Sequence, residues 1–377
     1  MKFSDDWVDV KITDNRPHPW VAKLHIDLPL LAGLAGLIAI AFVILYSASG
    51  QNVDVLLRQA GRLGLAFAVM LTLAQVHPHY FKLYGPILYG AGVLLLGAVL
   101  IIGDIGKGAQ RWLDLGFFRF QPSELMKLAT PMMVAWYVAE TGLPPRFMSI
   151  LIAGILITVP ALLIAKQPDL GTAMLVAVSG SLALFLAGVS WRSFLALVVL
   201  TGGSLPVVWY LLHDYQRDRV LTFLNPEADP LGRGYHIIQS KIAIGSGGIY
   251  GKGWLNGTQG QLDFLPERST DFIFAILAEE FGLTGCLGLL GVYLFVLARC
   301  FHIVVQAQEP FTQLLSGALT VTFFVYVFVN IGMVIGILPV VGVPLPLVSY
   351  GGTSMVTLLA GFGILMSIQT HRKLLAH

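Results

Sequence analysis

The sequence predicts an all-α polytopic membrane protein: about ten transmembrane helices, with one long extracytoplasmic loop between the seventh and the eighth. Three observations carry that expectation. Only 12% of the 377 residues are charged while 56% are hydrophobic, and the mean hydropathy is +0.78. A soluble domain carries roughly twice that share of charge, so most of this surface must face lipid. Apolar stretches of the roughly 20 residues that a membrane helix needs recur from end to end. Finally, residues 213–270 form one connection far longer than any other, and such loops are usually functional or disordered.

Taken in order, residues 1–26 are polar, with Asp5, Asp6, Asp9, Lys11, Asp14, Arg16 and Lys23 among them. They lack the basic start and small-residue cleavage site of a signal peptide, so the first apolar span is expected to remain as an anchor behind a cytoplasmic tail. Spans follow near 27–48, 57–76, 84–103, 123–140, 149–166, 170–187, 194–212, 271–299, 312–338 and 351–370. Ten crossings put both ends on one side of a single domain covering 1–377. Cys286 and Cys300 share one predicted helix, where fourteen residues leave them roughly 21 Å apart. That separation excludes a disulfide between them.

The net charge of +2 is too small to suggest a nucleic-acid partner. Lys and Arg in the short loops lean only weakly toward the tail side, which is expected to be cytoplasmic. An excess stays outside: Arg58, Arg62, Lys107, Arg111, Arg119, Lys127 and Lys166 precede the long loop. Cations kept on the translocated face suit an anionic ligand. Within the long loop, Ile244-Gly-Ser-Gly-Gly-Ile-Tyr-Gly-Lys-Gly-Trp254 has glycine at nearly every second position. Glycine permits close backbone approach, as a loop folded over a ligand would need; a flexible hinge would read the same way.

Ionisable residues within a membrane are functional candidates by default, and four clusters stand out. In Gln121-Pro-Ser-Glu-Leu-Met-Lys127, Pro122 marks a helix start and places Glu124 and Lys127 on one face. They read as a structural ion pair or as the polar floor of an outward cavity, and the two readings are compatible. In Lys166-Gln-Pro-Asp-Leu-Gly-Thr172, Asp169 stands near the outer interface as a helix cap or a functional carboxylate. Arg111 and Trp112 form an interfacial anchor or a phosphate-and-sugar contact. In Gln261 to Phe274 charge is densest, with Glu267, and Asp271 enters the eighth span. A carboxylate at the edge of a low-dielectric region has its charged form disfavoured, which raises its pKa toward that of a useful base. As a helix cap it would serve structure alone. Pro344 to Ser354, including Ser349, opens the tenth span with little side-chain bulk; it suits either an anion or close helix packing.

These stretches, together with Asn225-Pro226 and Asn330-Ile-Gly, resemble the SEDS family (shape, elongation, division and sporulation) over nearly the whole chain. Arg111-Trp-Leu-Asp-Leu and Gly336-Ile-Leu-Pro-Val-Val-Gly-Val-Pro344 favour its elongation branch over its division branch. The resemblance implies the SEDS fold in the bacterial inner membrane, both termini cytoplasmic, and an active site facing the periplasm. The implied activity is that of a peptidoglycan glycosyltransferase, joining lipid II into β-1,4-linked strands beside a class B penicillin-binding transpeptidase. It places the catalytic carboxylate at Asp271 and the substrate cavity at Glu124, Lys127, Asp169 and Glu267. Many members carry His just before the Thr of this motif, where this chain has Ser269.

An α-linked donor and a β-linked product call for one inverting displacement, with a base for the acceptor hydroxyl and cations for the departing diphosphate. Asp271 is the expected base. Lys127, Arg217, Arg219 and Lys241, or a divalent cation such as Mg or Mn, are expected to hold the diphosphate. The rival reading is a flippase for the lipid-linked precursor, which would need an aqueous path and cations at depth on both sides. A secondary transporter would show paired broken helices in two related halves, and none is found.

Overall fold

Lipid cannot hydrogen-bond a peptide group, so each span must pair its own backbone, and a helix does this whatever side chains it carries. The computed structural model describes residues 25–106, 109–114, 119–189, 233–261 and 267–372, with Leu195, Val199, Gly203 and Arg217. Six predicted spans before the long loop are α1 (Leu28–Ala48), α2 (Val53–Gln75), α3 (Pro78–Ile102), α4 (Pro122–Thr141), α5 (Phe147–Lys166) and α6 (Leu170–Leu186). The loop itself contains α7 (Arg233–Gly247) and α8 (Thr258–Gln261), and the last three spans are α9 (Ile273–Gln306), α10 (Pro310–Val334) and α11 (Thr353–Thr370). The predicted span at 194–212 falls largely outside the described residues.

Among the described residues seven helices, α1, α2, α3, α5, α9, α10 and α11, are long and apolar enough to cross a membrane. α4 carries Glu124, Lys127 and Glu140, and α6 has 17 residues. Burial orders the bundle. Two thirds of the α10 and α11 spans is buried against 22–39% of the others, so these two helices lie at its centre. Leu94, Ile101 and Phe147 are exposed on the outer helices, as lipid-facing side chains should be.

The helix ends meet at two poles. At one, Asp27 caps α1 by accepting Leu30 N at 2.9 Å, and the same carboxylate takes Arg299 of α9 through Nε at 3.0 Å and Nη2 at 2.6 Å. His25 lies against Thr370 and stacks on His371, so both described ends of the chain meet there. At the other pole lie the starts of α4, α6, α9 and α11. A small sheet joins α3 to α4 at this pole, an addition to the all-helical expectation. Its antiparallel strands are β1 (Asp104–Gly106), β2 (Ala109–Asp114) and β3 (Arg119–Phe120), with Ile105 opposite Gln110 and Leu113 opposite Phe120.

α9 is broken, and the break explains the glycine run. Gly282 leaves the helix at φ 63°, ψ −158°, which orphans carbonyls above it and amides below it. The chain just after α7 threads into this gap. Lys252 N and Gly253 N donate to the Glu279 and Glu280 carbonyls at 2.9 and 3.0 Å, while Leu283 N and Thr284 N donate to the Gly248 and Ile249 carbonyls at 3.0 and 3.1 Å. No side chain fits between the two backbones. A Cβ on Gly247 would lie 2.0 Å from the Ala278 carbonyl oxygen, and one on Gly251 2.1 Å from that of Glu280. These glycines therefore stitch the loop to a helix. Fully buried Glu279 completes the join by accepting Lys252 Nζ, Thr258 N and Gln259 N.

Candidate active site

Pro122 at the first turn of α4 orients a helix whose first two turns carry Glu124 and Lys127 inward. Both are buried and paired, with Lys127 Nζ 2.8 Å from Glu124 Oε1 and 5.4 Å from the centre of the Tyr326 ring on α10. Glu124 Oε2 is buried with no hydrogen-bond partner. A buried carboxylate oxygen left so is costly and marks a place where a donor belongs.

Asp169 caps a helix and also lines the cavity. Its Oδ1 caps α6 by accepting Thr172 N at 3.2 Å, and its Oδ2 faces Gln121 Nε2 at 3.3 Å and Arg111 Nη1 at 3.7 Å. Arg111 also donates to the Gln167 and Pro168 carbonyls, so β2 clasps the junction of α5 and α6. Arg111, Glu124, Lys127 and Asp169 line one polar cavity of about 250 Å³ with Gln121, Tyr326, Gly342, Thr353 and Ser354.

Asp271 stands at its edge. Its Oδ2 lies 3.6 Å from where a Cβ on Gly342 would be, and Gly342 is a cavity residue at φ +73°. Glycine is needed there for the left-handed backbone. The N-cap position of α9 falls on Phe272, not on Asp271. Buried Asn330 fixes the spot, donating to the Asp271 carbonyl at 3.0 Å and to that of Val343 at 2.7 Å.

Glu267 and Ser349 frame this turn outside the cavity lining. Thr270 Oγ1 donates to Glu267 Oε2 at 2.8 Å. Ser349 Oγ donates to the Thr270 carbonyl at 2.5 Å and accepts Leu345 N at 2.8 Å. Trp112 is half-buried and follows Arg111 on β2, so strand alternation turns it to the opposite face. Lys241 is exposed on α7, with its stem crossing Gly336, away from the cavity lining. Arg217 is half-buried, and Arg219 lies outside the described residues. Tyr326, Thr353 and Ser354 belong to the lining although sequence reasoning did not select them as site residues. A tyrosine inside an apolar helix carries no signal that separates it from core.

The polar cavity adjoins an apolar groove of about 740 Å³ between α2, α3, α4 and α11, and the two share Gln121, Glu124 and Thr353. The groove runs along α11 from Thr353 to Ile364, roughly 17 Å at the helical rise. Its walls include Leu65, Phe81, Leu88, Met132 and Val356.

Residues 22–374 match the family model of the cell cycle proteins FtsW, RodA and SpoVE. The chain is 54% identical over 355 residues to the peptidoglycan glycosyltransferase MrdB of Escherichia coli (strain K12), spanning 94% of this chain and 96% of that one. It is 34% identical to MrdB of Helicobacter pylori (strain J99), over 93% of this chain and 91% of that protein. Among solved structures, "Structural coordination of polymerization and crosslinking by a peptidoglycan synthase complex" contains a chain matched at TM-score 0.79 and 36% identity, over 92% of this chain and 99% of that one. The rod shape determining protein RodA of Thermus thermophilus matches at TM-score 0.70 and 29% identity, over 92% and 98%. With a family match over almost its whole length and a relative more than half identical, the chain belongs to the FtsW/RodA/SpoVE family of membrane proteins.

Proposed function

We propose that this protein is a peptidoglycan glycosyltransferase that polymerises lipid II into β-1,4-linked glycan strands at the outer face of the inner membrane during elongation. The observation that carries the reading is a carboxylate- and cation-lined cavity that adjoins an apolar groove across Gln121, Glu124 and Thr353. That pairing suits a substrate with a sugar head on a polyprenyl diphosphate. The groove is apolar along its depth, which suits a held lipid chain better than the aqueous path a flippase would need.

In the proposed step, Asp271 takes the proton from the acceptor sugar's 4-hydroxyl as that oxygen attacks C1 of the donor. The C1–O bond to the diphosphate breaks with inversion, and the leaving group departs with the electron pair. Lys127, the buried cation of the cavity lining, is the residue proposed to offset that charge. Among the described residues no group of three or more His, Cys, Asp or Glu could hold a metal ion. A divalent cation in this reaction would therefore be held largely by the substrate's own phosphates, as Mg often is. We further propose that both termini are cytoplasmic and that a class B penicillin-binding transpeptidase is the partner. The complex in which a similar chain was solved supports the latter.

The test is to incubate the purified protein and its transpeptidase with labelled lipid II and separate the products by size. Glycan strands are expected; unchanged lipid II under conditions that support a known polymerase would overturn the reading.

A further inference from the structure

Arg62 lines the mouth of the apolar groove on α2 and is the one cation among the groove's lining residues. Arginine at such a position is costly unless something balances it. Its guanidinium carbon sits 4.6 Å from the centre of the Tyr350 ring, and the ion pairs among the described residues do not include it. The side chain is held in place. Its stem packs at van der Waals distance against Gly352, with Arg62 Cδ 3.5 Å from the Cβ position there. One turn earlier, buried Gln59 bonds the Ser349 carbonyl and the Gly351 amide, which locks α2 to the entry of α11.

We propose that Arg62 binds the phosphates of the lipid-linked substrate; this rests on the glycosyltransferase reading and extends it to a residue outside the polar cavity. Three requirements order such a substrate along the site. Its apolar chain needs the groove. Its sugar hydroxyls and amides can supply the donor that Glu124 Oε2 lacks in the polar cavity. The anionic linker between chain and sugar must then pass the seam where Gly352 and Thr353 border the groove, beside Arg62. An arginine stacked by one face on an aromatic ring keeps its N–H edge free for bidentate contact with phosphate.

The test compares wild type, Arg62→Gln and Arg62→Lys as purified complexes with the transpeptidase, polymerising lipid II across a concentration series. Micelles carry phosphatidylglycerol in large excess. The expected result is a KM raised roughly tenfold in the Gln variant with kcat changed less, and partial recovery in the Lys variant. Binding of undecaprenyl diphosphate should weaken in parallel, while binding of undecaprenol should not. A Gln variant with wild-type KM overturns the proposal, as does equal loss of undecaprenol binding. A site that takes any lipid phosphate is saturated in every sample; it shows no difference and also overturns it. If Arg62→Gln does not fold, Arg62→Lys decides alone, and an unchanged KM counts against the proposal. Failure of wild type to polymerise lipid II would instead remove the underlying functional reading.

Discussion

Glu124 gives Lys127 only one of its two carboxylate oxygens: Oε1 is 2.8 Å from Nζ, and Oε2 is buried without a hydrogen-bond partner. A pair present only to make two buried charges tolerable would be expected to satisfy both oxygens. The asymmetry points toward a ligand.

The charge-swapped double variant, Glu124→Lys with Lys127→Glu, is therefore expected to insert and bind its transpeptidase yet to polymerise lipid II roughly 10²-fold more slowly, or worse. Either single change should be no better. Recovery of activity in the swap would reduce the pair to a structural role.

The stitched break in α9 predicts an unequal response among glycines. Gly282→Ala puts a Cβ 2.4 Å from Gly251 N at φ +63°, and Gly251→Ala meets the Glu280 carbonyl at 2.1 Å. Each should destabilise the folded protein by more than about 2 kcal/mol, read as a lower thermal midpoint in detergent. Gly245 lies in α7 with nothing within 4 Å of its Cβ position. Gly245→Ala should be neutral or stabilising by up to about 1 kcal/mol. Similar midpoints for all three variants would contradict the stitching.

Span positions were legible because length and apolarity are properties of a single segment. The break at Gly282 was not, because it exists only where α7's trailing loop supplies four backbone partners, and that pairing is long-range. The same blindness turned the glycine run into an expected ligand loop or hinge. α10 ends at Val334 rather than near 338 because Gly336 turns to φ +77°. Within the site, residue chemistry singled out Glu124, Lys127, Asp169, Arg111 and Asp271. Direction could not be read. Nothing in the sequence separates Ser349, whose hydroxyl clips two backbone segments, from a hydroxyl turned into the cavity.

At the opposite pole, three histidines from distant segments predict a pH response. His371 stacks on His25 at 3.9 Å and meets His77 edge-on at 5.1 Å. Burial, joined by the charges of His25 and His77, holds the His371 pKa below its usual value against the pull of its bond to the Ser367 carbonyl. The unfolded chain then binds more protons than the folded one near the ordinary histidine pKa of about 6.5. Stability from this contact is full above that pH and is lost as pH falls through the lowered value. The thermal midpoint of wild type should drop more between pH 8 and pH 5.5 than that of His371→Asn. Parallel curves would show that the cluster does not titrate with folding.

The central claim is that Asp271, set over Gly342 at the cavity edge, is the base of the glycosyl transfer. The direct measurement is lipid II polymerisation by Asp271→Asn, with insertion and transpeptidase binding checked in the same preparation. Asparagine is nearly isosteric and caps a helix as well as aspartate does, but it cannot accept the proton. The account predicts a rate lower by at least roughly 10²–10⁴-fold with the complex intact. A stably inserted, partner-bound Asn variant that polymerises at the wild-type rate would contradict it.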